Sequence, residues 1–303
     1  MGPCARERSE VFRTVDRRIG PFTGQVAEPF SFPEFENAVH DLNNRVHSPE
    51  TPVLWQGRNR IVELSLPGPE GKPVPIAIKA FRRPPFFRHP IYVWKGSKAR
   101  RAYHMAQRLV ERDIGTPLPL GFLERWNRGR LVESYLLTEY RREWLNGRSE
   151  LRRLFGGDPQ YRAGTNLLRF LAHEIRRFHD AGFQHGDLGH QNILVRRTAH
   201  GWQDARFVDL NRVRIRNALS LLQRGREISQ LWLPYSLRDI FLREYFSPQA
   251  PPAGVYFWEG FFRFIDLLYR VTRPFRHPVR TLGTYQRRRP GQRQSSLPQA
   301  KTL

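Results

Sequence analysis

Three oxygen-bearing side chains stand close together in the second half of the chain. Asp187 and Asn192 fall within His185-Gly186-Asp187-Leu188-Gly189-His190-Gln191-Asn192, and Asp209 follows in Phe207-Val208-Asp209-Leu210. Phosphoryl transfer uses such a set. One aspartate on a loop orients the attacking hydroxyl and accepts its proton, while an asparagine and a second aspartate hold a divalent ion against nucleotide phosphates. Asn192, an uncharged oxygen ligand, and Asp209, a charged one, suit Mg²⁺, which prefers oxygen and shares its shell with phosphates. Upstream, Lys79 closes the alternating run Ile76-Ala77-Ile78-Lys79, where a strand lysine reaches the α- and β-phosphates of ATP. Taken singly, Asp187 could cap a turn and Lys79 could face solvent; taken together the four residues read as a kinase site. Gly57, in Gly57-Arg58-Asn59-Arg60, is the candidate for a phosphate-covering turn. It offers one glycine rather than a spaced series, so an ordinary β-turn explains it equally well.

These residues need a sheet to carry Lys79 and a helix-to-strand loop to carry Asp187. From Pro52 onward short apolar runs alternate with turns: Val53-Leu54-Trp55, Ile61 to Leu66 and Val74 to Phe81. A helix is expected over 97–112 and a strand over 131–140 leading into a connector. A short helix is expected over 32–42 with Ser31 as its cap. Leu168, Leu171, Ile175 and Phe178 recur at helical spacing over 165–181, which stops at Gly182, a C-terminal cap. Two short strands near 193–196 and 206–209 then flank a polar turn, and helices are expected over 218–223, 237–245 and 256–269. The expected class is α+β, a bilobal protein-kinase-like fold with a small β-rich lobe and a larger helical one. Its parts are an N-terminal extension over 1–51, a nucleotide-covering lobe over 52–140, a helical lobe over 141–286 and a disordered basic tail over 287–303.

The 303 residues are 39% hydrophobic and 13% aromatic, enough for a substantial core. No apolar run approaches the ~20 residues of a spanning helix; Val255 to Val271 is broken by Glu259, Arg263 and Asp266. The charged opening does not read as a secretory signal, and Cys4, the lone cysteine, points to a reducing cytoplasm. Fifty-one Lys and Arg against 28 Asp and Glu give +23, a charge that seeks a polyanion: nucleic acid, an anionic membrane face or a phosphorylated glycolipid. The span from Gly71 to Val110 holds no acid at all. Its cations interleave with Phe81, Phe86, Phe87, Tyr92 and Trp94, which suits residues 81–101 to a lipid headgroup surface. A solvated loop with a few core aromatics is the plain alternative. Arg287 to Leu303 reads first as a solubilising arm.

The combination of Ile78-Lys79, Lys95-Gly96-Ser97-Lys98-Ala99-Arg100, Gly115-Thr116-Pro117-Leu118-Pro119, Leu136 to Tyr140, His185 to Val195 and Phe207 to Arg212 resembles the lipopolysaccharide kinase family, the Kdo and heptose kinases. The resemblance runs from about Pro52 to about Trp232. It implies that Asp187 is the catalytic aspartate, that Asn192 and Asp209 bind Mg²⁺, that Lys79 binds ATP, and that Glu139 and Tyr140 lie at the adenine-contacting hinge. It further implies a Kdo or heptose hydroxyl of the lipopolysaccharide core as acceptor and a peripheral place on the cytoplasmic face of the inner membrane. Two residues depart from the usual kinase pattern. The acid-free span provides no helix glutamate to pair with Lys79, so Lys79 would face Asp209 or an acid from elsewhere. Gly186 stands where many protein kinases carry arginine, which argues against control by a phosphorylated activation loop. Three rivals stay open: a kinase with a protein or small-molecule acceptor, a pseudokinase scaffold and, on charge alone, a nucleic-acid-binding protein.

Overall fold

The computed structural model describes residues 13–85, 89–155, 161–199 and 201–276. Cys4, the Phe86-Phe87 pair and the basic tail over 287–303 lie outside the described residues. The chain opens with a hairpin, β1 (Thr14–Ile19) and β2 (Phe22–Ala27), then two short helices, α1 (Pro33–His40) and α2 (Leu42–His47). Next come β3 (Val53–Gln56), β4 (Arg60–Pro67) and β5 (Pro73–Ala80), helices α3 (His89–Lys95) and α4 (Lys98–Glu111), and strands β6 (Pro119–Asn127) and β7 (Arg130–Glu139). The seven strands form one antiparallel sheet in the order β1-β2-β6-β7-β5-β4-β3. The residues ahead of 52, read from the sequence as an extension, therefore supply two strands of this sheet. The helix expected over 32–42 divides in two, and its first half starts at Phe32 with Pro33 in the first turn rather than on a Ser31 cap.

Alternation along the strands gives the sheet two faces. On one, Phe35, Val39, Leu42 and Val46 of α1 and α2 pack on Val62, Leu64, Ile76, Ile78, Tyr135 and Leu137. On the other, Ala99 and Tyr103 of α4 meet Phe81 and Phe122, and Lys79 faces the cleft. Each such fully buried large side chain contributes roughly 1.5–3 kcal/mol of transfer free energy. Helix α4 starts where Ser97 accepts a bond from the Arg100 amide at 3.0 Å. The buried Glu124 accepts from the Ser97 amide at 3.1 Å, an acid placed favourably at a helix N-terminus.

The second half is mainly helical: β8 (Leu145–Asn146), α5 (Gly147–Phe155), α6 (Tyr161–Asp180), β9 (Phe183–Gln184), β10 (Ile193–Thr198), β11 (Gly201–Phe207), β12 (Arg214–Ile215), α7 (Leu221–Ser229), α8 (Tyr235–Phe246) and α9 (Ala253–Arg276). Leu168, Leu171, Ile175 and Phe178 are buried along α6 as their spacing requires. Gly182 takes φ 84° just beyond it, where a Cβ would collide with the Arg216 carbonyl. Helix α7 carries a full capping box between Ser220 and Gln223. The acids and bases that interrupt α9 are partnered: Glu259, buried, binds Arg238 at 3.1 Å and Arg263 at 3.3 Å. Among the described residues no helix is long and apolar enough to cross a membrane.

Candidate active site

The loop after α6 and β9 presents Asp187 at a bend, its carboxylate about half exposed and 3.5 Å from the Arg212 guanidinium. The turn is locked from within. Asn192 donates its side-chain amide to the Asp187 carbonyl at 2.8 Å, and the Gly189 amide donates to the same oxygen at 2.8 Å. Because that carbonyl can only accept, the Asn192 amide nitrogen faces it and the side-chain oxygen is left for other partners. The Val208 amide donates to the Asn192 carbonyl at 2.9 Å, which ties the loop to the strand end before Asp209.

Beneath the loop lies a buried acid that sequence reasoning missed. Glu227 of α7 accepts from the His185 amide at 2.6 Å and from the Gly186 amide at 2.9 Å. Gln230, a turn further on, accepts from the Leu188 amide. Burial pushes the Glu227 carboxyl up to about 7, against the pull of the two backbone donors. Gly186 takes φ 74°, and a Cβ there would approach the Arg212 carbonyl to 3.0 Å, so a side chain at the position where many protein kinases carry arginine would be strained.

His185 is fully buried and its Nε2 lies 3.1 Å from the Val208 carbonyl. Burial pushes its pKa down, while the carboxylates of Asp187 and Asp209 both push it back up. The ring is therefore neutral with its proton on Nε2, the nitrogen that meets an acceptor, and Nδ1 has no partner. His185, two residues before Asp187, thus bonds the carbonyl next to Asp209, which sets the loop beside the strand end.

Asp209 sits at φ 61°, ψ 49°, the left-handed region, which costs a non-glycine residue energy and often marks a functional site. Its Oδ1 accepts from Lys79 Nζ at 2.8 Å and from the Asn211 side-chain amide at 2.6 Å. Burial alone would raise its pKa, but Lys79 and Asn211 outweigh burial and hold the carboxyl ionised. Lys79 thus finds its anion across the cleft, as expected from a span without acids. Its ammonium also lies 5.2 Å from the Phe81 ring centroid.

Around this centre, the Glu139 amide bonds the Leu118 carbonyl and the Tyr140 amide bonds the Pro75 carbonyl, at 2.9 and 3.3 Å. Both residues stand where the sheet hands over to the helical half, and the Glu139 carboxylate pairs with Arg141. The Gly115-Thr116 motif also joins the halves: Thr116 donates to the Phe207 carbonyl at 2.9 Å and the Phe207 amide to Gly115 at 2.8 Å. Gly115 is needed there because a Cβ would strike the Ala205 carbonyl. Gly57 lies in the exposed turn between β3 and β4, its amide bonded to the Asn59 carbonyl at 3.1 Å, and its φ is not in the left-handed region. Of the residues singled out from the sequence, Lys79 and Asp209 are in contact and the loop of Asp187 and Asn192 is tied to the strand end before Asp209; Glu139 and Tyr140 stand where the sheet hands over to the helical half, and Gly57 is a plain turn.

Among the described residues no three His, Cys, Asp or Glu side chains cluster as a metal site. An ion here would rest on one carboxylate and one amide oxygen, with the remaining ligands from phosphates and water. Both bonds to Asp209 fall on Oδ1, so Oδ2 is available; an oxygen pair of this kind fits a hard cation.

A seven-stranded antiparallel sheet over a helical half, with a loop aspartate and a strand-end aspartate facing a strand lysine, defines a protein-kinase-like fold. A solved structure, WaaP in complex with acyl carrier protein, aligns with a TM-score of 0.52 at 20% identity, over 76% of this chain and 93% of that one; at this identity the likeness shows the fold. Over residues 91–232 the chain matches the sequence model of the lipopolysaccharide kinase (Kdo/WaaP) family. A 3-deoxy-D-manno-octulosonic acid kinase of Xanthomonas axonopodis pv. citri (strain 306) is 31% identical over 116 residues. The match covers 37% of this chain and 42% of that kinase, so the chain spans less than half the length of the curated relative it matches. Lys79 and Gly57 lie ahead of the family segment, whereas Asp187, Asn192 and Asp209 lie within it.

Proposed function

We propose that this chain transfers the γ-phosphoryl group of ATP to a sugar hydroxyl of the lipopolysaccharide inner core, on a Kdo or heptose residue. The observation that carries the reading is the Lys79–Asp209 contact across the cleft, set beside a loop that fixes Asp187 and Asn192. Asp187 orients the acceptor hydroxyl and takes its proton; Arg212, 3.5 Å away, helps to aim that carboxylate. Lys79 would exchange Asp209 for the α- and β-phosphates of a bound nucleotide, and Asp209 and Asn192 would hold Mg²⁺ through their free oxygens. Such an ion would supply charge neutralisation at the phosphates. Glu139 and Tyr140 border the adenine, with backbone groups of the hinge as its partners, and the Gly57 turn covers the phosphates without a glycine series. The sugar-acceptor reading draws on the family segment; a protein or small-molecule acceptor and a scaffold without turnover are its rivals.

The acceptor is membrane-anchored, and the segment over 81–101 provides a contact for an anionic membrane face. Helix α3 exposes Ile91, Val93 and Trp94, the last at 81%, with Lys95 5.0 Å from the Trp94 ring. Replacing Trp94 by Ser should weaken sedimentation with anionic vesicles while shifting stability by no more than about 0.5 kcal/mol; unchanged sedimentation removes the contact.

Incubation with γ-labelled ATP, Mg²⁺ and dephosphorylated lipopolysaccharide core tests the main reading. Label in the core is the expected result. Label retained in ATP with nucleotide bound points to the scaffold, and label in another acceptor alone redirects the substrate.

A further inference from the structure

A second basic hollow lies on the face of the sheet turned away from the cleft. Lys79 and Ala80 are consecutive on β5, so their side chains point to opposite faces. Arg60, Ala80 and Tyr135 lie side by side on β4, β5 and β7, and with Asn43 and His47 of α2 they wall a cavity of about 330 Å³. Its rim is the β3–β4 turn and the strand end at Arg82, whose amide donates to Asn59 Oδ1 at 3.2 Å.

Four guanidinium groups line it: Arg58, Arg60, Arg82 and Arg83. Among the described residues none of the four makes an ion pair. The one carboxylate in the wall, Glu133, is already engaged by Arg125 and by the Tyr135 hydroxyl at 3.0 Å. Arg60 Nε is buried and has no hydrogen-bond partner. A buried charged donor left unpaired is costly, and a fork of guanidinium donors matches the oxygens of a phosphate in pairs. The volume is that of a small-ligand cleft.

We propose that this hollow binds a phosphate monoester, carried by a small molecule or by a lipid headgroup, on the side of the sheet opposite Lys79. The site stands on its own residues and does not depend on the phosphotransferase reading.

The test uses the full chain carrying Lys79→Met, which silences phosphate binding in the cleft, in 150 mM salt on the order of physiological screening. Calorimetric titration with inorganic phosphate is expected to show one site, weakened about tenfold or more in Arg60→Gln/Arg82→Gln. The charge-matched control Lys72→Gln/Arg128→Gln, at two exposed turns, should bind as the parent does. Arg58→Gln/Arg83→Gln repeats the measurement without touching Arg60 and its buried Nε, should the first variant fail to fold. A parallel arm uses phosphatidylcholine vesicles with and without phosphatidic acid. Binding of free phosphate that depends on these arginines supports a soluble ligand, and arginine-dependent binding of the phosphatidic acid vesicles alone supports a headgroup. Binding that survives both arginine pairs, or that falls equally in the control, overturns the proposal, as does no binding in either arm.

Discussion

The two walls of the cleft are held in different ways. On the helical side, the loop bearing Asp187 hangs from Glu227 and Gln230 by backbone amides and from its own asparagine, all within one half of the chain. On the sheet side, Lys79 has no acid on its own wall; its carboxylate partner belongs to the opposite half at 2.8 Å. One wall is built in advance, and the other takes its position by reaching across. The loop can be broken only by damaging the core, whereas the lysine can be released by anything that competes for Asp209, as a metal-bound nucleotide would.

Substitutions sharpen this contrast. The largest effect is expected at Asp187→Ala: phosphoryl transfer should fall by about 10²–10⁴-fold with thermal stability close to that of the parent, since the carboxylate is about half exposed. Wild-type turnover in this variant would remove the residue from the reaction. Glu227→Ala should act on the fold instead, leaving two backbone donors unpaired at about 1–3 kcal/mol each, seen as a clear drop in melting temperature together with lost activity. A variant that melts like the parent would mean that the loop stands without its buried acid. Lys79→Met should reduce transfer by roughly 10²-fold, on the scale of deleting one preorganised donor to developing charge. Its cost in stability is held to about 1 kcal/mol because the Lys79–Asp209 pair is partly open to water, Asp209 at 38%. A larger loss of stability than of activity would reverse the contrast.

Acidity separates the same regions more gently. Burial lowers His179 to about 3 and His190 to about 4, from an ordinary value near 6.5. Their unfolded forms bind more protons between those limits, so stability is lost as pH falls below about 6.5. His185 shifts in the same direction. Glu227 is raised to about 7 by burial, so its folded form holds a proton that the unfolded chain has lost, and it removes stability as pH rises from about 4.5 to 7. Between pH 5 and 6 the histidines win and stability climbs with pH. Glu227→Gln removes this opposing group and should steepen that climb by about one proton, or about 1.4 kcal/mol per pH unit. Denaturant melts at pH 5 and 6 read this directly; an unchanged slope would mean that Glu227 is already ionised at pH 5.

What was legible follows from how local each signal is. Asp187, Asn192 and Asp209 lie within one loop and one hairpin, so chain geometry alone nearly places them, and Lys79 announces itself by strand alternation. Phe178 and its neighbours on α6 are readable because a helix repeats its buried face. Glu227 is not, since one acid in Gly225-Arg226-Glu227 looks like a solvated helix residue until the fold buries it under the loop. The first hairpin was missed for a related reason. Thr14 to Ile19 is mostly polar, and its place depends on β2 pairing with β6, Gln25 opposite Phe122, a contact no local pattern encodes. Helix α3 was read as part of a basic, aromatic surface stretch, and only tertiary contact, such as His89 accepting from the Leu131 amide at 3.2 Å, fixes it as a helix.

The left-handed backbone at position 209 limits what natural variation can place there. Asparagine and glycine adopt such angles readily, while valine, isoleucine and threonine resist them. Substitutions here that keep the fold would therefore pass first through Asn or Gly. Relatives that vary at this position should carry those two residues well before any branched one.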